Sequence, residues 1–327
     1  MRKPIILTTP FKRLLVSGSR IYHAQPRQTF HEFCIQIVHT EFGAEWYDKE
    51  RKKPEEERHI VANWYISYCD LTRNPSPNAI KEKDGTWSDL PSGDTWSLIT
   101  LGYDLFLVRD NAGILGGLPR GLIDRLKNRD GFQGARYELA IAATFARMDF
   151  KIDYMDKKSE KHWEFTAKHE KTGEVVAVEA KSRHRPGVLH QSGEQPSMDD
   201  VRVGTARMLN QALKQKPDGL PYVIFIDLNL PVSSDVPIKE RKWWEDLKNA
   251  ISLQKLSTPS NPDDFNMLFV TNFSYHYAGK GIIDSTAYPL DLSFIIPLYI
   301  KTPFKYPRTR DMIHQGVSSY GHVPNFC

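Results

Sequence analysis

The stretch Val175-Val176-Ala177-Val178-Glu179-Ala180-Lys181 opens as a buried strand and closes on two charges. Side chains alternate faces along a strand, so Glu179 and Lys181 share a face with Val175 and Ala177. A carboxylate and an ammonium ending an apolar run are costly unless each has a partner. Upstream, His162-Trp163-Glu164-Phe165-Thr166-Ala167 carries a second acid in a strand-like pattern. With Trp163 and Phe165 pointing one way, Glu164 points the other. If the two strands pair as a hairpin across Lys168–Gly173, the Glu164 and Glu179 carboxylates converge. Adjacent carboxylates resist joint ionisation, and a divalent cation between them removes the conflict. Mg2+ suits such a place, because it takes one or two carboxylates together with waters and substrate phosphate. An ammonium at Lys181 can then orient a bound water or neutralise charge on a phosphoryl group. A third acid, Glu138, heads an otherwise apolar helical face with Ile141, Ala142 and Phe145.

The elements that must position these residues begin near Gly131. Ala135 to Met148 reads as an amphipathic helix. Phe150 to Tyr154, Lys161 to Ala167 and Glu174 to Ser182 read as strands, with turn composition from Lys168 to Gly173. A helix capped by Asp199 or Asp200 runs to about Gln215. Tyr222 to Leu228 is a buried strand and Arg241 to Leu253 a helix with Trp243, Trp244, Leu247 and Ile251 on its apolar side. Phe265–Thr271 and Ser293–Ile300 are further strands. The expectation is α-β-β-β-α-β, a mixed α/β sheet. The chain before a soft boundary at residue 118 reads as mainly helical, with helices over Gln28–Phe42, Glu55–Leu71 and Thr95–Val108. Residues 119–327 then form the second region, with C-terminal extensions.

Glu138, Glu164 and the triplet Glu179-Ala180-Lys181, laid on that element order, resemble the PD-(D/E)xK superfamily with its restriction-endonuclease-like core. The resemblance covers roughly residues 131–230. It implies that Glu164 and Glu179 hold Mg2+ (Mn2+ substituting) with help from the Ala180 carbonyl. It further implies that Lys181 serves the attacking water and that Glu138 matches an acid on the first helix. The implied reaction is phosphodiester hydrolysis, DNA favoured over RNA, in restriction, defence or repair. One departure stands out: the family's first acid is usually Asp after Pro, whereas Glu164 follows Trp163. Asp153 is the fallback ligand. The alternative is a catalytically inactive nuclease-like subunit that binds nucleic acid or a protein partner.

Arg183, His184 and Arg185 follow the Glu179 strand directly and are candidate phosphate contacts, as is Arg136. His190 and Gln191 lie deeper in the same polar stretch. Asp227 and Asn229 end a buried strand, where capping of the next turn explains them as well as function does. Trp243 and Trp244 fit core packing better than base stacking. Arg51-Lys52-Lys53 before Glu55-Glu56-Glu57 reads as a solvated helix start.

The chain has 327 residues and a formal net charge of +4, from 44 basic and 40 acidic residues. That mild excess permits a local nucleic-acid patch without requiring one. Cys34, Cys69 and Cys327 show neither disulfide nor zinc spacing and fit a reducing compartment. No apolar run is long enough for a membrane span, so the expectation is a soluble cytoplasmic protein. No Gly-Lys-Ser/Thr phosphate loop is present. Any ATP-driven translocation must therefore come from a protein partner.

Overall fold

The computed structural model describes residues 4–77, 79–82, 87–111, 118–155, 162–185, 203–230, 237–252, 257–277, 279, 281 and 290–324. The chain opens with an antiparallel meander, β1 (Ile5–Thr8), β2 (Arg13–Ser17) and β3 (Arg20–Ala24). Its inner face buries Leu15 and Tyr22, while Ile5, Leu7 and Ile21 meet solvent. The sequence does not predict this sheet, but the described region up to residue 118 is otherwise mainly helical, as the sequence predicts. The strands are too short for their period-2 pattern to stand out from ordinary apolar residues.

Helices α1 (Phe30–Phe42), α2 (Ala44–Arg51) and α3 (Ile60–Arg73) follow. Thr29 starts α1 by a capping box: its hydroxyl accepts from the Glu32 N–H, and the Glu32 carboxylate accepts from the Thr29 N–H. Arg51 ends α2, and Glu55–Glu57 form a single 3-10 turn. The basic run is thus a helix end, not a helix start. Helix α3 begins at Ile60, where His59 accepts from the Val61 N–H.

After the two-residue strands β4 (Ile80–Lys81) and β5 (Trp87–Ser88) comes α4 (Gly93–Asn111), buried on nearly all sides. It crosses α1 at Gly102. A Cβ there would collide with the Cys34 carbonyl, and backbone cannot step aside as a side chain can. We expect Gly102→Ala to destabilise the protein by about 3 kcal/mol, read as a shift in urea midpoint.

The second half supplies α5 (Arg120–Lys127), α6 (Phe132–Arg147), β6 (Phe150–Tyr154), β7 (Phe165–His169), β8 (Val175–Ser182), α7 (Thr205–Leu213), β9 (Tyr222–Asp227), α8 (Lys242–Ser252), β10 (Met267–Asn272), β11 (Leu290–Ile295) and α9 (Thr309–Ser318). From α6 to β9 the order is α-β-β-β-α-β. Six strands form one mixed sheet in the order β11-β10-β9-β8-β7-β6. The β8/β9 and β9/β10 pairs are parallel; the others are antiparallel. One face, with Val176, Val178, Val223 and Phe225, packs under α6 in a core that continues through α1, α3 and α4. Among the described residues, that core draws on elements from both sides of residue 118. The opposite face, with Ala177, Tyr222, Ile224 and Ile226, packs against α7 and α8, including Trp243. None of the described helices is long and apolar enough to cross a membrane.

Two strands depart from their expected bounds by more than two residues. β7 covers Phe165–His169 and runs past Ala167 because the turn with Gly173 at φ 72° closes later, with the His169 N–H on the Glu174 carbonyl; the expected start, Lys161, lies outside the described residues. β11 stops at Ile295, before Pro297, which has no N–H for a ladder.

Candidate active site

The β7–β8 hairpin decides which acids meet. Phe165 stands opposite Val178, and the Glu164 N–H donates to the Val178 carbonyl at 3.1 Å. One step further along, Glu164 faces Glu179. Trp163 lies before the strand and packs with the second core, so it does not share the Phe165 face; the reason given above for where Glu164 points fails, although Glu164 does meet Glu179. The Lys181 ammonium completes the group. It forms an ion pair with Glu179 and stands 3.7 Å from a Glu164 oxygen.

The three environments differ. Glu179 is fully buried, Lys181 and Glu164 only partly. Among the described residues, neither Glu179 oxygen has a hydrogen bond of good geometry. Burial raises the Glu179 carboxyl to about 8; Lys181 opposes the rise and Glu164 adds to it. Glu138 approaches from α6 and is 3% exposed. Its carboxyl is also raised to about 8, first by burial and then by Glu164, against Arg125.

Two residues here were not singled out in the sequence. Arg125 of α5 donates to Glu138 at 2.5 Å from a half-exposed position. The Tyr154 hydroxyl is buried without a hydrogen bond among the described residues, and burial followed by the Glu138 charge pushes the phenol well above its ordinary range. Tyr154 ends β6 with the alternation of a core strand, and Arg125 precedes the helix that carries Glu138. Neither position has a local signal that separates it from packing.

The Glu179 carboxylate, ion-paired with Lys181, and the neighbouring Glu164 make a hard-oxygen donor pair, with the Ala180 carbonyl in the same strand. This fits a divalent cation of the Mg2+ type, which needs only one or two carboxylates. Among the described residues, no group of three or more His, Cys, Asp or Glu side chains is placed to hold an ion. Asp153 is exposed, and no hydrogen bond or ion pair joins its carboxylate to Glu179 or Lys181.

The basic candidates separate. His184 is exposed, three residues after Lys181. Arg183 is half-buried and holds the Leu228 and Asn229 carbonyls, tying β8 to the end of β9. Arg185 is 6% exposed, and among the described residues its Nε and Nη1 have no hydrogen-bond partner. Arg136 is corrected outright as a phosphate contact. It is fully buried and donates to Asp104 at 2.7 Å and to the Tyr320 hydroxyl at 3.4 Å. Asp227 accepts from Ser182 and from the Asn229 N–H, with Asn229 at φ 46°, which is turn capping. His190, Gln191, Asp199 and Asp200 lie outside the described residues.

The Arg136 cluster carries a pH prediction. His276 is 2% exposed, with Nε2 2.9 Å from the Tyr320 hydroxyl. Burial, and then the Arg136 charge, hold it well below the ordinary imidazole range. Below about pH 6.5 the unfolded chain therefore binds a proton that the folded chain does not. The His276 contribution to stability is complete above that pH and is lost on acidification, at up to about 1.4 kcal/mol per pH unit. Urea unfolding at about pH 7.5 and about pH 5.5 should show the loss, and His276→Asn should flatten it.

Comparison with known proteins finds no matching family model, no matching curated protein and no matching solved structure.

Proposed function

We propose that this chain is a divalent-metal-dependent nuclease that hydrolyses phosphodiester bonds, with DNA as the favoured substrate, on a restriction-endonuclease-like core. One observation carries the reading: Glu164 and Glu179 face each other across the β7–β8 hairpin, with the Lys181 ammonium between them. The α-β-β-β-α-β order supports it. Glu164 and Glu179 are the residues that would hold Mg2+ or Mn2+, which when bound polarises a phosphodiester and acidifies water. Lys181 then orients the attacking water and offsets charge on the phosphoryl oxygens. Glu138 holds Arg125 at the rim. His184 is the exposed side chain best placed among the three basic residues after β8 to meet the nucleic-acid backbone.

Purified protein incubated with Mg2+, Mn2+ or EDTA on linear, circular and single-stranded DNA and on RNA tests the reading. Metal-dependent cutting of DNA is the expected result. A second reading rests on the Lys181–Glu179 ion pair itself: a nuclease-like subunit without activity, whose charges satisfy one another. That reading predicts a folded protein that cuts nothing and fails to bind Mn2+ by calorimetry.

A further inference from the structure

We infer that Arg125 is a substrate-binding residue, which grips a backbone phosphate of DNA at the rim of the Glu164–Glu179–Lys181 site. This rests on the nuclease reading and adds to it a contact from α5, an element outside the hairpin. Arg125 Nη2 donates to Glu138 Oε2, and among the described residues this is the one hydrogen bond its side chain makes. A guanidinium carries five donors in a planar fork, so the remaining ones are open. The two partners stand on opposite sides of the protein boundary: Glu138 is 3% exposed, Arg125 47%. Glu138 thus fixes one nitrogen of the fork from within, while nearly half of the Arg125 side chain meets solvent. Such a fork matches two phosphate oxygens at once, which a lone ammonium cannot do. Burial lowers the Arg125 pKa, but Glu138, and after it the Glu164 and Tyr154 charges, raise it, so the guanidinium stays charged. The competing explanation is that Arg125 only neutralises a buried carboxylate. The two accounts separate when Glu138 loses its charge as well.

The experiment measures binding of a fluorescein-labelled duplex of roughly 20 base pairs by anisotropy, with Ca2+ in place of Mg2+, from about 50 to about 200 mM salt. Wild type, Arg125→Gln, Glu138→Gln and the Glu138→Gln/Arg125→Gln double variant are compared. The double variant leaves no buried carboxylate without its cation, so it keeps the test valid should Arg125→Gln unfold. The expected result is severalfold weaker binding in the double variant than in Glu138→Gln, with the slope of log K against log salt smaller by about one. Equal affinity and equal slope for those two would overturn the inference while leaving the nuclease reading intact. Wild type with no salt-dependent binding of DNA would overturn both.

Discussion

Replacing Lys181 by Ala is expected to lower metal-dependent cleavage by about 10²–10³-fold, the usual effect of removing one preorganised electrostatic group. The expectation comes from position. Lys181 is the cation that touches both acids of the hairpin, and its partial exposure lets it meet a water or a phosphate. The same substitution strands Glu179, fully buried with Lys181 as its ion-pair partner. Breaking a buried pair costs about 3–5 kcal/mol when the remaining charge stays. Glu179 can escape part of that by taking a proton, as its raised pKa allows. Loss of cleavage in Lys181→Ala therefore needs a partner experiment. Lys181→Ala/Glu179→Gln removes both charges, so it should recover most of the stability and none of the activity. Recovery of cutting in the double variant would remove Lys181 from the chemistry. Initial rates, with urea midpoints measured alongside, decide the matter.

The acids of this site were legible because β-strand alternation is rigid. Once two strands are joined by a short turn, residues of like parity face one another, whatever the rest of the chain does. Glu164 met Glu179 even though Trp163, used to orient it, packs elsewhere. Position along a helix is a weaker guide. Arg136 and Glu138 are two apart on α6, and both looked like polar residues near a site. Glu138 reaches the rim, while Arg136 is buried against α4. No pattern within α6 distinguishes them, because α6 is enclosed by packing from several elements and every side of it is interior. The N-terminal meander and α9 escaped for a related reason. Short elements become stable through the surface they cover, and that surface is set by distant residues. Glu174 illustrates the point. It reads as the start of a strand, yet its buried carboxylate accepts from the Lys305 and Tyr306 N–H groups and from Thr309, pinning the start of α9 from more than a hundred residues away.

The larger expected effect on stability lies at Asp104, the fully buried partner of Arg136. Asp104 accepts from Arg136 and from the Tyr320 hydroxyl, each at 2.7 Å. These bonds link α4, α6 and the segment after α9 through a core in which His276 also takes part. Asp104→Ala leaves a guanidinium in the interior without its carboxylate, and loses the hydrogen bond that orients Tyr320. We expect a loss of about 3–5 kcal/mol, read from urea unfolding. Asp104→Leu/Arg136→Met removes both charges and refills the space. Replacing a buried pair by apolar residues of similar volume is often neutral or stabilising, so this double variant should sit within about 1.5 kcal/mol of wild type. If Arg136 touched phosphate, the double variant would also bind DNA more weakly; as a wholly internal residue, it should leave binding unchanged. A double variant as unstable as Asp104→Ala would mean that the polar network, beyond its net charge, is what holds α4 and α6 in register. The pair therefore separates two roles for charge in one helix: Arg136 fixes where α6 lies, and Glu138, two residues on, is carried by that placement to the rim of the site.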